Sequence, residues 1–176
     1  MARIFVTADL HLGHKNIIKY CNRPFTSVKA MNSTLIKNWN RTVRPTDIVY
    51  FLGDLGYNRG KMTTDFWLRK LNGKIIFIKG NHDSSRKIRF FKRKLLVDRG
   101  NIFLLVHNPM DIPKTWKRWA IHGHIHNNDT VKFPFINRKR KTINVSTELT
   151  GYRPVEMTRI RKLVESKKPR FKKKNL

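Results

Sequence analysis

Cysteine is all but missing from this chain: Cys21 stands alone, so no intramolecular disulfide can staple the fold and no zinc site of the clustered-cysteine type can form. That usage fits a reducing compartment. Acidic residues are scarce as well, 11 Asp plus Glu against 39 Lys plus Arg, for a formal net charge of +28. Long apolar runs are also lacking. The first, Ile4 to Ala8, is cut short by Asp9, and no stretch approaches the length needed to cross a bilayer. These absences lead us to expect a soluble, unsecreted, cytoplasmic protein with no membrane partner.

What is present is cationic charge in blocks. Arg86-Lys87-Ile88-Arg89 and Lys92-Arg93-Lys94 are followed by Arg138-Lys139-Arg140-Lys141 and by the tail Lys167-Lys168-Pro169-Arg170-Phe171-Lys172-Lys173-Lys174. A field of this strength attracts polyanions whatever the fold, so nucleic acid is a candidate partner through the basic surface and tail. At 176 residues one domain with a sizeable core is expected over 1–166, with 167–176 a basic, flexible tail.

The rest of the chain is organised around Ile75-Ile76-Phe77-Ile78-Lys79-Gly80-Asn81-His82-Asp83. Four β-branched or aromatic residues read as a buried strand, and a polar cluster follows at its C-terminal end, where open α/β sheets place ligand sites. The same pattern recurs. Arg3 to Ala8 runs into Asp9-Leu10-His11, whose one-residue spacing puts both side chains on one face of an extended backbone. Ile48 to Leu52 runs into Gly53-Asp54, Ile102 to Val106 into His107, and Trp119 to Ile121 into His122-Gly123-His124-Ile125-His126.

Between these strands, Lys15 to Tyr20 and Ser27 to Asn40 have helical spacing, the latter with a core stripe of Val28, Met31, Leu35, Ile36 and Trp39. Thr63 to Leu71 reads as a short capped helix, and the β-α-β order implies that part of the sheet is parallel. A partly helical basic stretch is expected from Ser84 to Leu96, strands over 132–135 and 142–145, and a last helix over 158–165. Arg23, in the turn Asn22-Arg23-Pro24-Phe25, is either a substrate-phosphate contact or a surface arginine. The seven histidines, His11, His14, His82, His107, His122, His124 and His126, all lie at or beside strand ends. With Asp9, Asp54 and Asn81 they form a convergent mixed nitrogen and oxygen site.

In this order, Asp9-Leu10-His11, Gly53-Asp54, Gly80-Asn81-His82-Asp83, His107 and Gly123-His124-Ile125-His126 resemble the signature of the calcineurin-like metallophosphoesterase superfamily. The resemblance spans most of the chain, and Tyr152-Arg153-Pro154 looks like the closing segment of its small, uncapped bacterial and phage-type members. It implies a four-layer α-β-β-α sandwich of two mixed sheets flanked by helices. One metal would be held by Asp9, His11, Asp54 and His126, and a second by Asp54, Asn81, His107 and His124, with Asp54 shared. The cofactors implied are two divalent ions, manganese first, with iron, zinc or nickel as alternatives.

The implied activity is hydrolysis of phosphoesters, diesters ahead of monoesters, by a bridging hydroxide at the dinuclear centre, with His82 as general acid. His14 would touch substrate. The protein-phosphatase branch carries a second acid after Gly-Asp, where this chain has Tyr57 in Gly53-Asp54-Leu55-Gly56-Tyr57-Asn58-Arg59-Gly60. That departure leaves Asp83 to orient His82. Two alternatives are a nuclease or cyclic-nucleotide phosphodiesterase and a non-catalytic scaffold that binds nucleic acid.

Overall fold

A computed structural model describes residues 1–57 and 63–166; Asn58, Arg59, Gly60 and the basic tail lie outside the described residues. The strongest apolar segments become β1 (Ile4–Thr7), β2 (Ile48–Phe51) and β3 (Lys74–Ile78). They pair in parallel, Ile4 opposite Ile48 and Phe51 opposite Phe77. β4 (Phe90–Phe91) adds to β3 in parallel, and β10 (Val155–Glu156) to β1 antiparallel, in the order β10-β1-β2-β3-β4. The parallel run brings the C-terminal ends of four strands to one edge of the sheet.

Side-chain alternation gives this sheet two buried faces. Phe5, Val49, Phe51 and Phe77 point outward into a core shared with Met31, Leu35 and Trp39 of α2 (Val28–Thr42) and Trp67 of α3 (Thr64–Leu68). Three of the five stripe residues read from sequence, Met31, Leu35 and Trp39, are buried. Ser27 caps α2 by accepting from the Ala30 amide at 3.1 Å, and Thr63 caps α3 by accepting from Phe66 at 3.3 Å. α1 (Lys15–Tyr20) contributes Ile17 to the same core.

Val6, Ala8, Leu52 and Ile78 point the other way, into a second core against Leu96, Phe103, Leu105, Ile121 and Ile143. These come from a second mixed sheet of β5 (Arg93–Asp98), β6 (Asn101–Val106), β7 (Trp119–His122), β8 (Ile136–Asn137) and β9 (Thr142–Asn144), in the order β5-β6-β7-β9-β8. β6, β7 and β9 are parallel, so Val106, His122 and Asn144 also end at a common edge. Two mixed sheets face to face with helices outside is the expected fold class. The helices are unevenly shared: α4 (Met157–Glu165) packs into the inter-sheet core beside β10, and Ile112 and Trp116 cover the outer face of the second sheet.

Two local expectations are corrected. The basic stretch before Leu96 is not helical: Phe90-Phe91 and Arg93 to Asp98 form strands, since β-forming apolar residues recur there without a helical stripe. Residues 132–135 do not form a strand either, because Pro134 has no amide to donate to a ladder, and pairing begins at Ile136 opposite Ile143. No helix of the described residues is long and apolar enough to cross a membrane.

Candidate metal centre

The loops after β1, β2 and β7 pass through backbone conformations that few side chains tolerate. Among the described residues, Asp9 (φ 60°), His11 (φ 50°), Asp54 (φ 61°), His124 (φ 71°) and His126 (φ 53°) all have left-handed backbone. Such conformations cost energy and persist where the surroundings over-determine them. Here the loops are laced together: the Asp9 amide donates to Gly53 O at 2.9 Å and the His11 amide to Asp54 O at 3.0 Å. Asp83 supplies a further tie. Its buried carboxylate accepts from Asp54 N (2.8 Å), Gly80 N (2.9 Å) and Leu55 N (3.0 Å), clamping the end of β2 to the end of β3.

That clamp corrects the role expected for Asp83. Its oxygens are spent on backbone amides, so Asp83 positions Asp54 rather than orienting the His82 ring. Burial, with the Asp54 carboxylate nearby, pushes its pKa up despite the three N–H donors. Glycine is required at the joints. A Cβ on Gly80 would overlap the Asp54 carboxylate and amide, and one on Gly53 would lie 2.6 Å from the Gly80 Cα.

The side chains on these loops converge from both sheets. Asp54 Oδ2 stands 3.5 Å from His11 Nε2 and 3.5 Å from His107 Nε2. His107 presents Nε2 because its Nδ1 is 2.7 Å from the Leu52 carbonyl, which fixes Nδ1 as the donor. Its Nε2 is also 3.1 Å from His124 Nδ1. Two nitrogens bound to one ion at about 2.0–2.1 Å stand roughly 3.0–3.4 Å apart, so this pair is spaced as co-ligands are. Asp9 uses Oδ2 to accept from the His124 amide at 2.9 Å. Its Oδ1 and His11 Nε2 are buried and make no hydrogen bond among the described residues. Buried acceptors without partners are costly, and a cation would satisfy both.

The ligand-competent atoms fall into overlapping groups, Asp9, His11 and His126 in one and Asp9, Asp54 and His107 in another, each within 4.8 Å. Imidazole and carboxylate donors in this mixture suit manganese, iron, zinc or nickel. Burial and the neighbouring His126 hold His11 well below the usual imidazole pKa, leaving its nitrogen a lone pair to donate. His126 behaves oppositely. Burial opposes its charging, but the Cys21 thiol, Glu148 and Asp9 outweigh that and push its pKa up to about 11. Without a cation, a proton on His126 partly neutralises the acids, and a metal would have to displace it.

Glu148 is the functional residue that sequence reasoning missed. Its side chain, 3% exposed, leaves the 3-10 turn Thr147–Thr150 to stand 3.0 Å from His126 Nδ1, which keeps Nε2 available to a metal. The available signal was repetition: β9 runs into Val145-Ser146-Thr147-Glu148 as β1 and β2 run into their aspartates. Arg23 is corrected with it, being neither a phosphate contact nor a surface residue. Its side chain is 0% exposed, and its guanidinium donates to Glu148 Oε1 (2.6 and 2.9 Å) and to the carbonyls of Asp9 (2.7 Å) and Leu10 (2.8 Å). It buttresses the Asp9 loop from behind.

The remaining expected residues line the rim. His82 is exposed, its amide donating to Asp54 Oδ1 at 2.8 Å and its ring 5.4 Å from that of His11. His14 stacks on Tyr57 at 4.8 Å with its ring 5.6 Å from His11, so Tyr57 backs His14. Asn81 is exposed and lines one hollow with His107. His122 stands apart: fully buried against Phe133, it is pushed down to about 4, first by burial, and is a neutral core residue.

Known proteins resemble this chain in sequence and in fold. A protein of unknown function from Aquifex aeolicus superposes with a TM-score of 0.71 over 93% of this chain and 100% of its own, at 23% identity, which supports the fold. An uncharacterized protein of Methanocaldococcus jannaschii is 48% identical over 171 residues, 96% of this chain and 94% of the relative. The Gene 66 protein of Mycobacterium phage L5 is 32% identical over 98 residues, 54% of this chain and 47% of the relative. The family model for calcineurin-like phosphoesterases matches residues 2–170, nearly the whole length and every motif that feeds the centre, and the chain belongs to that family.

Proposed function

We propose that the protein is a metal-dependent hydrolase of phosphodiesters, working with two divalent ions of which manganese is the first choice. The observation that carries this reading is the position of Asp54 Oδ2, 3.5 Å from both His11 Nε2 and His107 Nε2, as a carboxylate shared between two ligand sets would stand. Asp9, His11, Asp54 and His126 would hold one ion, and Asp54, Asn81, His107 and His124 the other. Bound there, the ions supply Lewis-acid polarisation of the phosphoryl group and a water acidified to neutral pH.

The chain's own residues do the rest. Glu148 and the Leu52 carbonyl orient the imidazoles of His126 and His107. His82, held beside the centre by the hydrogen bond its backbone N–H donates to Asp54 Oδ1, can deliver a proton to the leaving oxygen, and His14 can meet a non-bridging oxygen. Both sit at an open rim, which suits an extended diester.

The test is turnover of bis-p-nitrophenyl phosphate with added Mn²⁺. His82→Ala should lose about 10²–10⁴-fold in kcat, the contribution of a general acid, while keeping the rise in Tm on adding Mn²⁺. Wild-type turnover no higher than that of His82→Ala would overturn the proposal. Gly80→Ala should push Asp54 aside and lower kcat about 10²-fold, as small misplacements do. Gly100→Ala, at a left-handed hairpin glycine with nothing within 4 Å of its Cβ direction, should leave kcat unchanged.

A further inference from the structure

The parallel edge that gathers the metal-binding loops carries cations beside them. Lys79 follows β3 and Lys92 follows β4, and because these strands pair in parallel at Ile78 and Phe91, both lysines leave the sheet on the same edge as Asp54. The Lys79 amide donates to Phe91 O at 2.9 Å, which fixes the two strand ends side by side. Two hollows open there. One, of about 370 Å³, runs from His107 and Asn81 between Lys79 and Lys92. The other, of about 350 Å³, continues past Lys79 to Ser84, Ser85 and Arg86.

Lys79 and Phe90 line both hollows, so the two adjoin along a shared wall, a trough in two halves of which the first is lined by His107 and Asn81. Each half matches the lower end of the volume range of small-ligand pockets, about 300–1,000 Å³. Lys79, Lys92 and Arg86 are exposed, and Asp111 is the one acid of the lining. The half-buried Phe90 is braced edge-to-face on Phe77 at 5.8 Å between ring centroids. A row of cations beside a fixed aromatic ring is the equipment for single-stranded nucleic acid: the cations follow the phosphates and the ring offers a stacking surface.

We propose that this trough is a subsite for a single-stranded oligonucleotide, its backbone running from the metal centre with Lys79, Lys92 and Arg86 on its phosphates and a base against Phe90. The inference rests on the phosphodiester reading of the centre, but its test does not require turnover. Binding of a fluorescein-labelled hexathymidylate is measured by anisotropy with the full-length protein and with its Lys79→Glu/Lys92→Glu and Lys117→Glu/Arg118→Glu variants. The second pair lies in a hollow with Gly100 and Asn101, at the opposite end of the second sheet, and matches the charge change.

The trough variant should weaken binding at least tenfold, while the control pair should change it less than twofold. The slope of log K against log salt should flatten only in the trough variant, by about 1.4 for two phosphate contacts on a single strand. Equal weakening by the two variants would overturn the subsite in favour of diffuse charge attraction. So would no binding by wild type, or tripolyphosphate competing as well as unlabelled hexathymidylate. If site-specific binding holds and no diester is turned over, the hydrolase reading fails while the subsite stands.

Discussion

Asp54→Asn should reduce kcat/KM for bis-p-nitrophenyl phosphate by about 10³-fold or more with the fold intact. Changing a group that only orients a ligand typically costs about 10–100-fold, and Asp54 stands between both ligand sets rather than behind one. The substitution is close to isosteric. Asn tolerates the left-handed φ of 61° and keeps an oxygen to accept from the His82 amide. What it removes is the negative charge facing His11 Nε2 and His107 Nε2, together with half of the shared acceptor. The assay is run at saturating Mn²⁺ beside a thermal melt. A variant that melts within a few degrees of wild type and retains more than a tenth of its activity would show that Asp54 is not shared between two ions.

The second large effect is on stability. Arg23→Met keeps the length of the side chain and much of its apolar stem but strips the donors from two backbone carbonyls and from Glu148. Arg23 and Glu148 are both buried, with side-chain exposures of 0% and 3%. Removing one partner of a buried pair typically costs about 3–5 kcal/mol where the other charge is left uncompensated, and His126, which still faces Glu148, puts the loss here at the lower end of that range. Urea denaturation should show a loss of that size. Arg23→Met/Glu148→Gln should recover part of it by removing the stranded carboxylate, and no recovery would mean that the carbonyl contacts to Asp9 and Leu10 carry the effect. Because Glu148 also holds His126, both variants should bind Mn²⁺ more weakly.

These two residues mark where the sequence stopped being informative. Asp9, His11, Asp54, His107 and the His124/His126 pair were legible because each follows an apolar strand at close spacing, and a parallel sheet must bring such ends together. Arg23 and Glu148 lie 125 residues apart, and their partnership depends on how a turn before α2 meets the end of β9, which no local pattern encodes. Asp83 misled for the same reason. Its adjacency to His82 suggested a functional pair, whereas its partners are the amides of Gly80, Asp54 and Leu55, the last two reachable only once β2 and β3 are paired. At the level of elements, long apolar runs were readable. The basic region before Leu96 was not, since its charge block hid two short strands whose places are set by β3 and β6.

The chain completes β1 to β4 before Lys92 and then passes into the second sheet, returning to the first only for β10. Asp9, His11, Asp54 and Asn81 therefore belong to one slab, and His107, His124 and His126 to the other, with the Leu52–His107 bond stitched across the join. Neither slab by itself contains the four donors proposed for either ion. A cation lodged between them would act as a rivet: prising the slabs apart would eject it, and seating it would fasten the two together.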